Sequence, residues 1–169
     1  AFVDGMVTGA YDYRVKKVTL RFPHLPKAFD GYKMLQISDL HTGSFTSTEP
    51  LQEAVRIINK QEADLVFFTG DLVNNLASEV ENHIPALSQI KAKDAVYSVL
   101  GNHDYADYVR EWSHPTAKKE NLQRMVETHA EMGWQLLMNE NRIIEKDGEK
   151  IAVLGVENWG NRAGFPKYG

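Results

Sequence analysis

A chain of 169 residues and 19.2 kDa has the mass of one ordinary domain. With 43% hydrophobic and 25% charged residues, its composition is that of a globular protein and excludes disorder, collagen and a membrane bundle. A formal net charge of −4 leaves no broad basic surface for nucleic acid, and the lack of cysteine excludes disulfide frameworks, thiolate zinc sites and cysteine nucleophiles.

The chain opens at Ala1 without an initiator Met, which reads as a processed protein or a cut segment. No run approaches the roughly 18 apolar residues of a spanning helix, and the first ten residues do not read as a signal peptide. Val15 to Phe22 is β-rich and alternating, which predicts a strand ended by Pro23 and Pro26. Lys33 to Ser38 is a short strand leading into Asp39. Thr48 to Gln61 is helical, with Thr48 as its cap and Leu51, Val55 and Ile58 at i, i+4 and i+7. Asp64 to Thr69 is a near-continuous apolar run, as in a strand covered on both faces. Glu79 to Lys91 predicts a second helix, with Ile84, Leu87 and Ile90 on one side. Ala95 to Leu100 is the next buried strand. Thr116 to Met132 predicts a more polar helix, stopped by Gly133. Trp134 to Met138, Arg142 to Lys146 and Lys150 to Val156 are strands, the last two joined by a turn at Asp147-Gly148. Gly160 to Gly169 reads as a loop.

Alternating strands and helices predict an α/β fold with a mixed, mostly parallel sheet. In such sheets ligands bind beyond the carboxyl ends of the parallel strands. Three strand ends there carry one pattern: Asp39-Leu40-His41, then Gly70-Asp71-Leu72-Val73-Asn74, then Gly101-Asn102-His103-Asp104. Their spacings, 32 positions from Asp39 to Asp71 and 31 from Asp71 to Asn102, each fit one strand–helix–strand crossover. Carboxylate, imidazole and amide oxygen without thiolate suit Mn, Fe or Zn. Asp39 and His41, two positions apart in an extended stretch, would point to one side. Asp71 has two oxygens and can bridge two ions. Two such ions would clamp the attacking and leaving oxygens of a phosphoryl displacement and make a water between them nucleophilic near neutral pH. Asn102 offers an amide oxygen to the second ion. His103 is the candidate to hydrogen-bond phosphate or protonate the leaving group. Asp104 is the candidate to accept the other ring N–H of His103.

These motifs resemble the opening three of the calcineurin-like metallophosphoesterases, over roughly Lys33 to Asp104. Gly-Asn-His-Asp alone arises by chance in well under roughly 1% of chains this long. The flanks Gln36-Ile37-Ser38, Leu65 to Thr69 and Leu154-Gly155-Val156-Glu157 are similar to the bacterial membrane-associated branch. The resemblance implies a two-sheet α/β sandwich and a dinuclear centre of two divalent metal ions (Mn, Fe or Zn). It implies metal ligands Asp39, His41, Asp71 and Asn102, and catalytic roles for His103 and Asp104. It implies hydrolysis of a phosphomonoester, phosphodiester or pyrophosphate, with a small phosphorylated or phospholipid-like substrate. It also implies a parent protein anchored in a membrane upstream of Ala1. Members complete the site with a Gly-His and a Gly-His-x-His motif, and this chain contains neither. Residues 1–169 therefore read as the N-terminal part of a single longer catalytic domain, inactive by itself. The alternative is a non-catalytic phosphate- or metal-binding module on the same scaffold. A nuclease is disfavoured by the net charge.

Other candidates carry bland readings beside sharp ones. His24 reads as a loop residue, and His83 and His129 as solvated helix positions. His114, before Pro115, is either a plain loop residue or one that approaches substrate. Trp112, Tyr105 and Tyr108 form a substrate wall or pack under their own loop. Asn74 and Asn75 either hydrogen-bond around Asp71 or cap the next segment. Lys118-Lys119 reads as a solvated helix face.

Overall fold

Apolar runs become strands only where they find partners, and four of them do so in one sheet. The structure, a computed structural model, describes residues 11–159 and residue 168. Strands β1 (Met34–Ile37), β2 (Leu65–Phe68), β3 (Ala95–Ser98) and β4 (Gln135–Leu136) lie in sequence order, and every pair is parallel. The return connections run through helix α1 (Glu49–Asn59), a 3-10 segment Ala77–His83 followed by the single turn α2 (Ile84–Leu87), and α3 (Ala117–Glu131). Strands β5 (Glu140–Lys146) and β6 (Glu149–Gly155) pair antiparallel as a separate hairpin. The architecture is the expected two-sheet α/β fold. The expected mixing of directions occurs between the sheets, because the four-stranded sheet is parallel throughout.

Alternation along β2 builds two cores. Val66 and Phe68 face α1 and α3, meeting Leu51, Val55 and Met125. Leu65 and Phe67 face the other way, with Tyr97, against Ile144, Ile151 and Val153 of the hairpin. Leu65, Val66 and Phe68 are almost completely buried, and burying such side chains stabilises by about 1.5–3 kcal/mol each. With a layer on each face, the sheet presents its carboxyl edge as the opening between them.

Three expected elements differ. Residues 15–22 form no strand: among the described residues nothing pairs with them, and Val18, Leu20 and Phe22 are exposed. The helix expected over 79–91 is divided at Pro85, which lacks the N–H that a continuous helix needs there but fits the first turn of α2. Thr48 precedes α1 without capping it; its hydroxyl lies 3.1 Å from His83 Nδ1. His83 and His129 are buried, not solvated. Burial pushes both rings below the usual histidine range, His129 to about 4. The loop expected at 160–169 lies outside the described residues apart from Tyr168.

Candidate metal centre

The ladders of the parallel sheet run on past the strand ends and align the three motif loops. Thr69 N–H donates to Ile37 O, Asp39 N–H to Gly70 O, His41 N–H to Asp71 O and Thr42 N–H to Leu72 O. Asp39, His41 and Asp71 all have left-handed backbones, with φ of 55°, 48° and 58°. Asp and His tolerate this region better than most residues, yet it costs of order 1–3 kcal/mol at each. Asp39 and His41 thus do not reach one side through the extended stretch that their spacing predicts. They converge because the chain curls left-handed at each of them.

His41 Nε2 lies 4.0 Å from Asp39 Oδ1 and 3.8 Å from Asp71 Oδ2. The two carboxylates therefore come within about 8 Å of each other, a span that a bridged pair of ions fits. Asp39, Asp71 and Asn102 line one cleft of about 330 Å³, together with Glu157, Asn158 and Trp159. Asp71 also meets His41 and His103, and one donor atom from each of these three lies within 4.8 Å of the others. The His41 and His103 rings meet edge-on at 4.7 Å. Asp71 is the residue common to both groupings. Among the described residues, the ion pairs of Asp39 and Asp71 are with His41 alone, with no Lys or Arg. Two carboxylates, imidazoles and an amide without a fixed cation form a donor set that fits a divalent metal.

Asp71 Oδ1 accepts the His103 N–H at 3.0 Å. The Asn102 amide nitrogen donates to the Tyr108 hydroxyl at 2.8 Å, which leaves its Oδ1 as the acceptor for a cation. Gly70 and Gly101 allow the second and third loops to touch. Gly70 has φ +101°, and a Cβ there would fall 2.6 Å from Gly101 Cα. A Cβ on Gly101 would fall 2.5 Å from Asp71 N and 2.8 Å from Asp71 Cγ.

Asp104 does not touch the His103 ring. Adjacent residues in the 3-10 turn His103–Tyr105 point apart, and Asp104 turns into the protein, fully buried. Its Oδ2 accepts N–H groups from Asp71 and Gly101, each at 2.9 Å, and its Oδ1 accepts those of Leu72 at 2.8 Å and Val73 at 3.2 Å. It fastens the second loop to the third. Burial, with the charge of Asp71, pushes this carboxyl up to about 7, while the peptide donors pull the other way. The ring partner of His103 is the Asn74 carbonyl, 2.6 Å from Nδ1. A carbonyl only accepts, so the proton sits on Nδ1.

The remaining candidates divide. Tyr108 packs on His103 with ring centroids 4.7 Å apart, whereas Tyr105 is buried and donates to Glu157. Asn74 bonds Ser44 through its side chain. His114 lies 3.6 Å from Glu120 and Lys118 pairs with Asp107, both outside the cleft. Two further residues that the motifs do not mark help to build the site. The Glu79 carboxylate accepts three successive N–H groups after Asp71, and Asn139 brackets Glu157 at the hairpin's end. Neither carries a sequence signal, since the N-cap position before Glu79 is Leu76, which has no side-chain acceptor.

The chain is similar to several known proteins. The chain is 33% identical over 93 residues to the uncharacterized metallophosphoesterase YkuE of Bacillus subtilis, covering 53% of this chain and 32% of that protein. It is 31% identical over 103 residues to a zebrafish (Danio rerio) transmembrane protein with metallophosphoesterase domain, covering 61% and 24%. It is 34% identical over 99 residues to the UDP-2,3-diacylglucosamine pyrophosphatase LpxG of Chlamydia muridarum, covering 58% and 28%. The chain thus spans about a third or less of the length of these relatives. The family model for calcineurin-like phosphoesterase matches residues 32–165, the segment that holds every motif loop, and the chain belongs to that family of metallophosphoesterase hydrolases.

Proposed function

We propose that this domain hydrolyses a phosphoester or pyrophosphate at a centre of two divalent metals, Mn, Fe or Zn. Asp39, His41 and Asp71 would hold one ion, and Asp71 and Asn102 the other, with further ligands from outside these motifs. The observation that carries the reading is the convergence of Asp39 and Asp71 on His41 without a Lys or Arg partner. Bound ions would polarise the phosphoryl oxygens and lower the pKa of the attacking water.

The chain's own residues supply orientation and a proton. Asp71 is fixed by the His103 N–H, so its second oxygen is committed to the site. Asn102 is turned by Tyr108. His103, with Nδ1–H on the Asn74 carbonyl, keeps Nε2 as its free nitrogen; once Nε2 has taken up a proton from solvent, the imidazolium would donate it to a phosphate oxygen or the leaving group. Asp104 acts on the loops and not on the reaction.

The substrate we infer has an apolar part beside its phosphate. Val156 and Trp159 are 64% and 59% exposed and line the same cleft as Asp39 and Asn102. The Chlamydia relative is named for a diacylated nucleotide sugar, which supports this reading. The zebrafish relative's name supports placing the domain beside a membrane; among the described residues no helix is long and apolar enough to cross one. We also read residues 1–169 as part of one longer catalytic domain.

The test is hydrolysis by the whole protein, in manganese, of a p-nitrophenyl monoester, a diester and an acylated nucleoside-diphosphate sugar. Turnover that chelation abolishes and metal restores is expected, greatest for the acylated pyrophosphate. No turnover of any of the three in metal-replete protein would overturn the reading.

A further inference from the structure

Six consecutive peptide N–H groups, Asp71 to Leu76, all donate to carboxylates. Asp104 takes the first three. Glu79 takes the others: Asn74 N–H on Oε2 at 2.6 Å, and Asn75 and Leu76 N–H on Oε1 at 3.1 and 3.0 Å. The 74–75 peptide is the informative one. Its N–H, that of Asn75, donates to Glu79, and its carbonyl, that of Asn74, accepts from His103 Nδ1 at 2.6 Å. A negative charge on the N–H side of a peptide polarises it and strengthens the carbonyl as an acceptor. Carboxylate, peptide and imidazole thus form one chain of hydrogen bonds.

The first motif loop is shaped around the same carboxylate. A Cβ on Gly43 would fall 2.8 Å from Glu79 Cδ and 3.2 Å from Asn74 Cγ. Among the described residues no Lys or Arg forms an ion pair with Glu79, so its charge is directed at these peptides.

We propose that Glu79 is a positioning residue for His103. Through the 74–75 peptide it holds the ring proton on Nδ1 and leaves Nε2 as the nitrogen that meets substrate. The proposal rests on the reading of His103 as the residue that meets substrate, but its test does not require turnover. An ordinary cap at the start of a 3-10 segment would contribute stability only.

Tautomers are read directly by long-range 1H–15N correlation of the imidazole nitrogens, at about pH 8, where an ordinary histidine is neutral. The chain is 15N-labelled and metal-free, and His103→Asn assigns the signals. In the unaltered protein His103 is expected as the Nδ1–H form. In Glu79→Gln, one side of the clamp faces an amide NH2 in place of an acceptor. There the ratio of Nδ1–H to Nε2–H is expected to fall roughly tenfold, the worth of one weakened charge-assisted hydrogen bond. An unchanged ratio in a folded Glu79→Gln would make Glu79 a cap and overturn the proposal. Should that variant not fold, Glu79→Asp, which keeps the charge but shortens its reach, is read in the same way: a shift toward Nε2–H sustains the proposal and an unchanged ratio overturns it, as does His103 found mainly as Nε2–H in the unaltered protein. Failure of the phosphatase assay with these tautomers intact would strike the functional reading and leave this one standing.

Discussion

Gly101→Ala adds one methyl group and removes no charge and no hydrogen-bonding atom, yet it should disrupt the candidate centre. The new carbon would stand 2.5 Å from Asp71 N and 2.8 Å from Asp71 Cγ, where ordinary contacts begin near 3.4 Å. Asp71 Oδ1 would lie closer still, so the second and third loops must separate by about 1 Å or the Asp71 carboxylate must turn away. The His103 N–H to Asp71 Oδ1 bond, 3.0 Å long, spans this gap and would be lost or badly stretched. Overpacking a tight site costs about 1–3 kcal/mol and a lost hydrogen bond about 1 more. The sum is about 2–4 kcal/mol, read as a lower urea midpoint at unchanged slope. Asp71 is also the shared ligand of both proposed ions, so manganese binding by calorimetry should weaken at least tenfold. A variant within about 0.5 kcal/mol of the unaltered protein that binds manganese equally would refute the reasoning.

Three further outcomes follow from the same geometry. Asp71→Asn keeps a residue that tolerates φ of 58°, so the fold should survive while metal binding and turnover fall together, by elemental analysis and assay. In the whole protein, His103→Ala should keep its metal content and lose roughly 10²–10⁴-fold in turnover; loss of metal would make His103 a ligand. Residues 1–169 alone offer the second ion only Asp71 and Asn102 among the motif residues, so calorimetry should show weak, partial metal uptake and a diester assay negligible turnover. His129 gives a pH signature. Its folded value of about 4 lies below the ordinary 6.5, so the unfolded chain binds the extra proton between those values, and stability falls as pH drops through that window. The difference between the unaltered protein and His129→Leu isolates this group and should change by about 3 kcal/mol from pH 7 to pH 4. A flat difference would mean the ring is not buried as found.

Legibility in the sequence tracked how local each cause is. β2 and β3 were readable because a continuous apolar run between polar ends has few other uses. The loop residues were readable because Asp, His and Asn recur after strands. Residues 15–22 alternate as well as any strand in the chain, but a strand needs a partner, and alternation does not supply one. Pro85 stood in plain view inside the expected helix and should have divided it. His129 is buried, against the expectation of a solvated position, because it lies at i+4 from Met125 on the stripe that α3 buries. Asp104 does not partner its neighbour in sequence, because the geometry of the turn makes the two side chains diverge.

The least legible feature is how a centre of strained, like-charged groups is held together. Asp39, His41 and Asp71 each adopt a backbone that costs of order 1–3 kcal/mol, and two of them are acids facing one another. Nothing in their own side chains offsets this. The compensation comes from beneath: ladder bonds between the first and second loops, and two further carboxylates that between them take seven peptide N–H groups from the second and third. Neither Asp104 nor Glu79 lines the cleft, so the acids that fasten the loops are distinct from the acids that would bind metal. This division explains how Asp39 and Asp71 are brought to converge on His41. A cation arriving at that place would find the proposed ligands already oriented. Its binding energy would then go chiefly into offsetting the repulsion and desolvation of Asp39 and Asp71, and little would be spent on ordering the loops.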